Sequence, residues 1–243
     1  MKDDLADALI PVFWARDHIP VLQERLLNWQ RRYPYEVVAE RDPVQADMDL
    51  VIARLRTPLD PLIIGDVGAI INSVRTGLDL MMAAVVARHV ASPSWFPNFP
   101  ICESRDDFLD AVGKLQSRYQ LTADEADAIR RTKAYDGGDH LLWHIAKLDN
   151  LRKHQRLLVV EAIPIEAHVT QIYMVQRLME HSHAQNCTRL FRVPVGHFQP
   201  TRGNTLVEAG IFLNEIGSVG VRNAIVGARC YVDRVKAPIE AFP

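Results

Sequence analysis

Cysteine is scarce in this sequence, and the cysteines present do not form a recognisable set. Cys102, Cys187 and Cys230 are an odd number, and their spacings match neither a metal site nor a redox pair. Disulfide scaffolds and structural zinc sites need cysteines in paired, regular spacings. The first four residues (MKDD) are polar and lack the apolar core of a secretion signal. The sequence therefore predicts a reduced, cytoplasmic compartment.

Long hydrophobic runs and an excess of positive charge are also missing. The longest apolar run, Leu80 to Ala87, is too short to cross a bilayer, so no membrane association is expected. The net charge is −2 and the pI is about 6.5, which excludes a global basic field for nucleic acid. The basic residues are mostly arginine, which suits local bidentate contacts to a phosphate or a carboxylate.

Several catalytic signatures are absent as well. No glycine-rich phosphate loop carries its lysine, and no Gly-x-Ser-x-Gly nucleophile elbow occurs. His140 and His144 have the four-residue spacing of a metal pair on one helix face. The glutamate of a metalloprotease motif is missing beside them, and no third ligand is evident. The sequence predicts no metal site and no cofactor.

What is present is the composition of a globular protein. The chain has 243 residues, of which 48% are hydrophobic and 24% are charged. Such a chain can bury a large core without disulfides or metals. The length is long for one domain and short for two, and we expect a single domain over residues 1–243.

Periodicity and turn residues predict a mixed set of elements. The predicted helices cover residues 18–32, 62–90, 108–119, 122–132, 140–155 and 166–186, and the predicted strands cover 35–41, 49–56, 156–165, 189–195, 204–214 and 224–235. The order of strands, helices and strands favours an α+β fold. It consists of a central helical bundle, about 62–186, and a strand-rich C-terminal part, about 188–236. The N-terminal and C-terminal strands form a flanking, mostly antiparallel sheet.

The helix over 62–90 gives the strongest signal in the sequence. It has a wide apolar stripe, and its glycines, Gly65, Gly68 and Gly77, allow another backbone to approach closely. Its remaining face is polar, and Arg75 and Asp79 on that face can pair because they are four residues apart. A loop rich in proline and aromatic residues follows over 92–103, and we expect it to pack onto the helices.

A second polar face lies on the helix over 140–155. Asp149 and Lys153 have the acid-first spacing of a helical ion pair, and Asn150 and His154 align likewise. If the two helices pack together, their polar residues meet in one pocket.

The motifs of this region resemble those of a group of uncharacterised bacterial proteins. The stretch Gly65-Asp66-Val67 with Asn72 to Asp79, then Phe99-Pro100-Ile101, then Leu148 to His154, is similar to their "GD-x-x-x-N-x-R-x-x-L-D-H" helix, "FPI" loop and "L-x-N-I-D-K-H-R" helix. The resemblance covers residues 62–160 and implies no established activity.

The "R-x-x-L-D-H" helix of that group is in turn similar to the signature of HEPN helical domains, an arginine followed by a histidine. The resemblance implies interaction with RNA or a nucleotide, and in RNA-cutting members an arginine holds the phosphate charge while a histidine moves a proton. This sequence has Leu80 at the expected histidine position, so His154 is the candidate replacement and a degenerate nuclease is the expectation. The candidate site residues are Arg75, Asp79 and His154 as catalytic groups, and Asn72, Asp149, Asn150 and Lys153 as substrate-binding groups.

The alternative interpretation is a non-catalytic interaction or scaffold module. In it the same polar residues form a network that fixes the register of the two helices. The apolar helix faces also allow a homodimer.

Overall fold

The structure is a computed structural model that describes residues 3–91, 93, 95–154, 160–169, 176–182, 185–198, 205–213 and 224–243. A short 3-10 helix, Asp3–Leu5, precedes the first α-helix. The α-helices are α1 Ala6–Gln30, α2 Pro61–Ala87, α3 Arg105–Tyr119, α4 Ala123–Arg131, α5 His140–His154 and α6 Ala224–Glu240. The strands are β1 Tyr35–Arg41, β2 Met48–Leu55, β3 Val160–Val169, β4 Gln176–Ser182, β5 Cys187–Pro194 and β6 Thr205–Leu213. The expected α+β fold class is confirmed.

The chain divides into two compact units, each built from separate segments. The helical unit contains Met1–Leu22, Ile64–Val159 and Leu213–Pro243, and the sheet unit contains Gln23–Ile63 and Val160–Phe212. The division falls inside α1 and near the start of α2. The single domain expected from the sequence stays a prediction.

The core of the helical unit is built around α2. The apolar stripe predicted from the sequence is buried along its whole length, from Val67 to Val85. A Cβ atom at Gly77 would lie 2.9 Å from the backbone oxygen of Ala8 in α1 and 3.7 Å from the side chain of Ile239 in α6. Because only a glycine leaves this space free, the close backbone approach predicted for Gly77 is confirmed. The same prediction is wrong for Gly65, which has nothing within 4 Å, and for Gly68, which faces only the side chain of Arg152.

The sheet unit contains a four-stranded antiparallel sheet with the order β1-β2-β5-β4. The register places Tyr35 opposite Leu55 and Met48 opposite Pro194. β3 and β6 pair in a separate two-stranded sheet. An apolar cluster lies against the four-stranded sheet and contains Val51, Ala53, Leu190, Phe191, Val193, Phe198 and Val207. The sheet therefore combines N-terminal with C-terminal strands, as expected.

The first helix begins earlier than the sequence predicted. α1 starts at Ala6 rather than at residue 18, and it contains Pro11 and Pro20. Proline inside a helix removes a backbone hydrogen bond, which made this segment a poor helix by local criteria. Burial overrides that cost, because Leu5, Leu9 and Val12 are at most 2% exposed.

The helix predicted over 166–186 is wrong. β3 continues through Pro164 to Val169, and Gln176–Ser182 form β4, which pairs with β5. Residues 170–175 and 183–184 of the predicted helix lie outside the described ranges. Pro164 is tolerated because a two-stranded sheet leaves an outer backbone edge free of ladder bonds. The partner of β4 is a later strand, so the local sequence does not contain the decisive signal. The helical core expected over 62–186 therefore reaches only to His154.

The strand predicted over 224–235 is also wrong, because this segment belongs to α6. Ile225, Ala228, Tyr231, Val232, Val235 and Ile239 are all buried. Their spacing follows one face of a helix, and it outweighs the β-branched content that suggested a strand. The part expected to be strand-rich over 188–236 therefore contains β5, β6 and a helix.

The predicted helix caps are present. Thr122 and Glu125 form a reciprocal capping box at the start of α4. Asp139 accepts hydrogen bonds from the backbone nitrogens of Leu141 and Leu142, so it caps α5 as expected. These local signals define the helix boundaries around the candidate site.

One described helix, Pro61–Ala87, is long and apolar enough to span a membrane by length and composition alone. Of its most apolar window, 56% is buried inside the protein. Such burial is typical of the core helix of a soluble protein.

Candidate functional site

Arg75 and Asp79 form the ion pair predicted on α2, and together they hold the loop that follows the helix. Arg75 Nη2 lies 2.8 Å from Asp79 Oδ1 and donates to the Phe99 carbonyl at 2.9 Å. The backbone nitrogen of Phe99 donates to Asp79 Oδ1 at 2.8 Å. We call this arrangement of Arg75, Asp79 and the Phe99 backbone the loop clamp. It ties residue 99 to the polar face of α2.

The segment held by the loop clamp is the aromatic loop, residues 95–100. Pro97, Phe99 and Pro100 are buried, whereas Trp95 and Phe96 are about half exposed. The expectation that this loop packs onto the helices is therefore confirmed for its second half. Its first half presents two aromatic rings to solvent.

Beneath the aromatic loop lies a cavity of about 510 Å³ within the helical unit. Residues from α2, the aromatic loop and its continuation to residue 102, α3 and α5 line it: Arg75, Trp95, Pro97, Asn98, Phe99, Pro100, Ile101, Cys102, Ala111, Lys114, Leu115, Arg118, Tyr119, Ala146 and Asn150. Three of these side chains are cationic and none is acidic. The volume is in the range of ordinary small-molecule sites.

Two residues that line this cavity each have a buried polar atom without a hydrogen-bond partner. Arg75 is 8% exposed, and its Nη1 makes no hydrogen bond, although its Nε and Nη2 are occupied. Tyr119 is 5% exposed, and its hydroxyl is also unpaired. Buried polar groups are nearly always satisfied, so two orphans on residues that line the same cavity, one on α2 and one on α3, indicate a missing partner.

The other two cations come from α3. The Arg118 guanidinium lies over the Trp95 ring at 5.2 Å and over the Tyr119 ring at 5.5 Å, as in cation–π contacts. Lys114 pairs with Asp110 at 2.6 Å. Arg118 has no carboxylate partner in the described part of the chain.

A second polar cluster joins α2 to α5, and Nε of its member Arg152 is buried without a hydrogen-bond partner. Asp149 is 2% exposed and accepts from Lys153 at 2.5 Å and from Arg152 at 3.4 Å. Arg152 also donates to Asn72 Oδ1 at 2.7 Å. The predicted Asp149–Lys153 pair forms, and Arg152 is a member that the sequence analysis missed.

The predicted site residues therefore fall into two groups. Arg75 and Asn150 line the cavity, and Asp79 lies beside it in the loop clamp. Asn72, Asp149 and Lys153 belong to the cluster between the helices. The side chain of His154 lies outside the described part of the structure, although the residue ends α5.

Burial changes the pKa of two groups at the site, the Asp79 carboxyl and the Cys102 thiol. Burial raises the pKa of Asp79, and the neighbouring Arg75 and the Phe99 backbone only partly oppose this effect. Burial also raises the pKa of the Cys102 thiol. The thiol lines the cavity in its unreactive protonated form.

Sequence reasoning missed Lys114, Arg118 and Tyr119, which α3 contributes. Lys114 and Arg118 are four residues apart, so they share a helix face, and that spacing is the only local signal they give. It did not show which loop or helix they would face.

No group of three or more histidine, cysteine or acidic side chains stands in a metal-binding arrangement among the described residues. The four-residue pair His140 and His144 lies on α5, and burial lowers the pKa of His144.

Comparison of the chain with models of protein families, with curated proteins and with solved structures finds no match.

Proposed function

We propose that this protein binds a nucleotide, either free or at the end of an RNA chain, in the cavity beneath the aromatic loop. The observation that carries the proposal is the orphaned, buried Nη1 of Arg75, a residue that lines a cavity without acidic side chains. A phosphate oxygen is a strong partner for such a group, because charge-assisted hydrogen bonds are the strongest ordinary ones.

The walls of the cavity also suit a flat aromatic group. Trp95, Phe99 and Tyr119 line it, and Trp95 is half exposed. Bases of nucleotides stack on aromatic side chains without strong sequence preference. Asn98 and Asn150 add amide groups that can donate to and accept from a base edge.

The proposal is for binding rather than cleavage. No histidine is among the residues that line the cavity, and position 80 is a half-exposed leucine. Cleavage of RNA without a metal needs a group that moves the proton of the attacking hydroxyl. The catalytic roles of Arg75, Asp79 and His154, and the HEPN resemblance itself, stay predictions.

A second candidate function, an interaction or scaffold module, is favoured by the cluster around Asp149. That carboxylate is almost fully buried and already has two cationic partners. A buried carboxylate that is paired with cations in this way is typical of a structural element that fixes helix register. We assign this role to the cluster between the helices and ligand binding to the cavity.

The test is a titration of the full chain with uridine and adenosine monophosphates, followed by calorimetry. Arg75→Lys keeps the charge but removes Nη1, so we expect affinity to fall about 10- to 100-fold, as loss of a charge-assisted hydrogen bond does. The matched control is Arg130→Lys on α4, where the arginine pairs with Asp127 and donates to Gln116 of α3 but does not line the cavity. This control should bind as the wild type does.

Because Arg75 also belongs to the loop clamp, circular dichroism and thermal unfolding must show that the variant is folded. A second variant, Tyr119→Phe, removes the other orphaned group without disturbing the clamp and should weaken binding several-fold. Wild-type protein that binds neither monophosphate nor RNA would refute the proposal. If the wild type cleaves RNA and His154→Ala does not, the proposal that the protein binds its ligand without cleaving it is refuted.

A further inference from the structure

Two of the three cations that line the cavity are paired with carboxylates. The third, Arg118, determines which ligands the cavity can bind. Arg75 is neutralised by Asp79, and Lys114 by Asp110. Arg118 is the lining cation with no carboxylate partner in the described ranges. The cavity therefore offers one uncompensated positive charge.

The geometry of Arg75 sets a second limit. Its Nε donates to Asp79 at 3.2 Å, and its Nη2 is shared by Asp79 and the Phe99 carbonyl. Only Nη1 remains, and one nitrogen with two hydrogens serves one anionic group. A chain of several phosphates would need several hydrogen-bond donors in a row, as in the positively charged grooves that follow a nucleic-acid backbone.

We infer that the ligand is a flat aromatic molecule with a single anionic group, and specifically a nucleoside monophosphate or the phosphorylated end of an RNA chain. Its phosphate lies between the lining residues Arg75 and Arg118, and its base lies against the aromatic loop. This inference rests on the proposed function and narrows it. Nucleoside triphosphates and internal RNA segments are excluded as preferred ligands.

A triphosphate fits the cavity poorly for an electrostatic reason. It would bring several negative charges to a site with one uncompensated cation and no described metal-binding group. Burying unpaired charge costs several kcal/mol of free energy, so the extra phosphates would have to project into solvent and add no affinity.

The contact between Arg118 and the Trp95 ring allows ligand binding to be measured by tryptophan fluorescence. Arg118 covers one side of Trp95, and the ring is still 50% exposed. A base that stacks there would change the fluorescence of Trp95. Trp95→Phe should abolish this fluorescence change. Its loss would show that the signal comes from Trp95 and not from the other tryptophans, Trp14, Trp29 and Trp143.

The experiment compares five ligands on the full chain: adenosine, AMP, ATP without magnesium, a short RNA with a 5′-phosphate, and the same RNA with a 5′-hydroxyl. We expect AMP to bind at least about tenfold more tightly than adenosine, which corresponds to one charge-assisted contact. ATP should bind no more tightly than AMP. The RNA should bind only with its 5′-phosphate, and the slope of log K against log salt should be about −0.7, the value for one phosphate on a single strand.

Arg118→Gln should remove the preference for AMP over adenosine, while Arg130→Gln on α4 should preserve it. If ATP or the 5′-hydroxyl RNA binds more tightly than AMP, and Arg75→Lys weakens that binding, the single-anion inference is overturned but nucleotide binding stands. If none of the five ligands binds to the wild type, both the inference and the proposed function are overturned.

Discussion

At the scale of single residues, Arg75 performs two tasks with one guanidinium. Two of its nitrogens hold Asp79 and the Phe99 carbonyl, and the third is buried without a hydrogen-bond partner. The nitrogens that fix the aromatic loop also fix the orientation of the free one. A lysine cannot do both, because it presents a single point charge rather than a planar fork.

Asp79 makes the loop clamp sensitive to pH. Because burial raises the pKa of Asp79 in the folded state, the folded protein binds a proton there more readily than the unfolded chain. The resulting stabilisation is complete below the ordinary pKa and is lost as pH rises through the raised value. We expect the free energy of unfolding of the wild type, relative to that of Asp79→Asn, to decrease as pH rises from about 3.8.

Urea unfolding followed by circular dichroism at several pH values between about 3.5 and 7 measures this difference. Asp233→Asn, at an exposed position on α6, is the control for a general effect of charge. A difference that increases with pH would show that pairing with Arg75 outweighs burial.

The residues of the candidate site were predictable only within each helix. The pairs Arg75–Asp79 and Asp149–Lys153 follow from a spacing of four, which is a local property of the chain. Arg118 and Tyr119 reach the cavity because α3 lies across from α2, and a single sequence contains no measure of that distance. The sequence therefore identified one wall of the cavity and missed the other.

At the scale of elements, α2 carries glycines with opposite surroundings. An alanine Cβ at position 77 would lie 2.5 Å from Val12 Cγ2 and 2.9 Å from the Ala8 oxygen, whereas one at position 65 would meet nothing within 4 Å. We expect Gly77→Ala to destabilise the protein by about 1–3 kcal/mol through overpacking. Gly65→Ala should stabilise it by about 0.5–1 kcal/mol, because alanine is the better helix former.

Both variants change the same residue type in the same helix, so each is the control for the other. Chemical denaturation gives the two free energies of unfolding directly. Equal effects at both positions would contradict the close packing of α1 against α2.

The elements that were predicted correctly are those whose residues contain a local sequence pattern typical of a helix or of a helix end. The stripe of α2, the capping box of α4 and the cap of α5 by Asp139 are all local features. β4 was missed because its hydrogen bonds go to β5, a partner that only the folded chain supplies. α6 was missed because its valines favour strands, although their burial follows a helical face.

At the scale of the whole molecule, two helices connect the units through the chain itself. The division lies inside α1, between Leu22 and Gln23, and near the start of α2, between Ile63 and Ile64. A helix that loses part of its length frays at the new end, because helix formation is cooperative. Loss of either unit therefore weakens elements of the other.

This connection predicts that the two units unfold together. A variant that retains only Trp29 reports on the sheet unit, where the indole donates to the Pro58 carbonyl. A variant that retains only Trp143 reports on the helical unit, since this residue lies on α5. We expect the two fluorescence transitions in urea to have the same midpoint, as for one cooperative domain. Separate midpoints would instead show two independent domains.

The contact of Gly77 with α1 and with Ile239 of α6 has a consequence during synthesis on the ribosome. α6 begins more than a hundred residues after the end of α2, and it is translated on the order of 10 s later. Until then the side of α2 at Gly77 has Ala8 and Val12 of α1 as native neighbours but lacks Ile239. The nascent chain must keep this surface away from neighbouring polypeptides, and chaperone demand should be greatest in that interval.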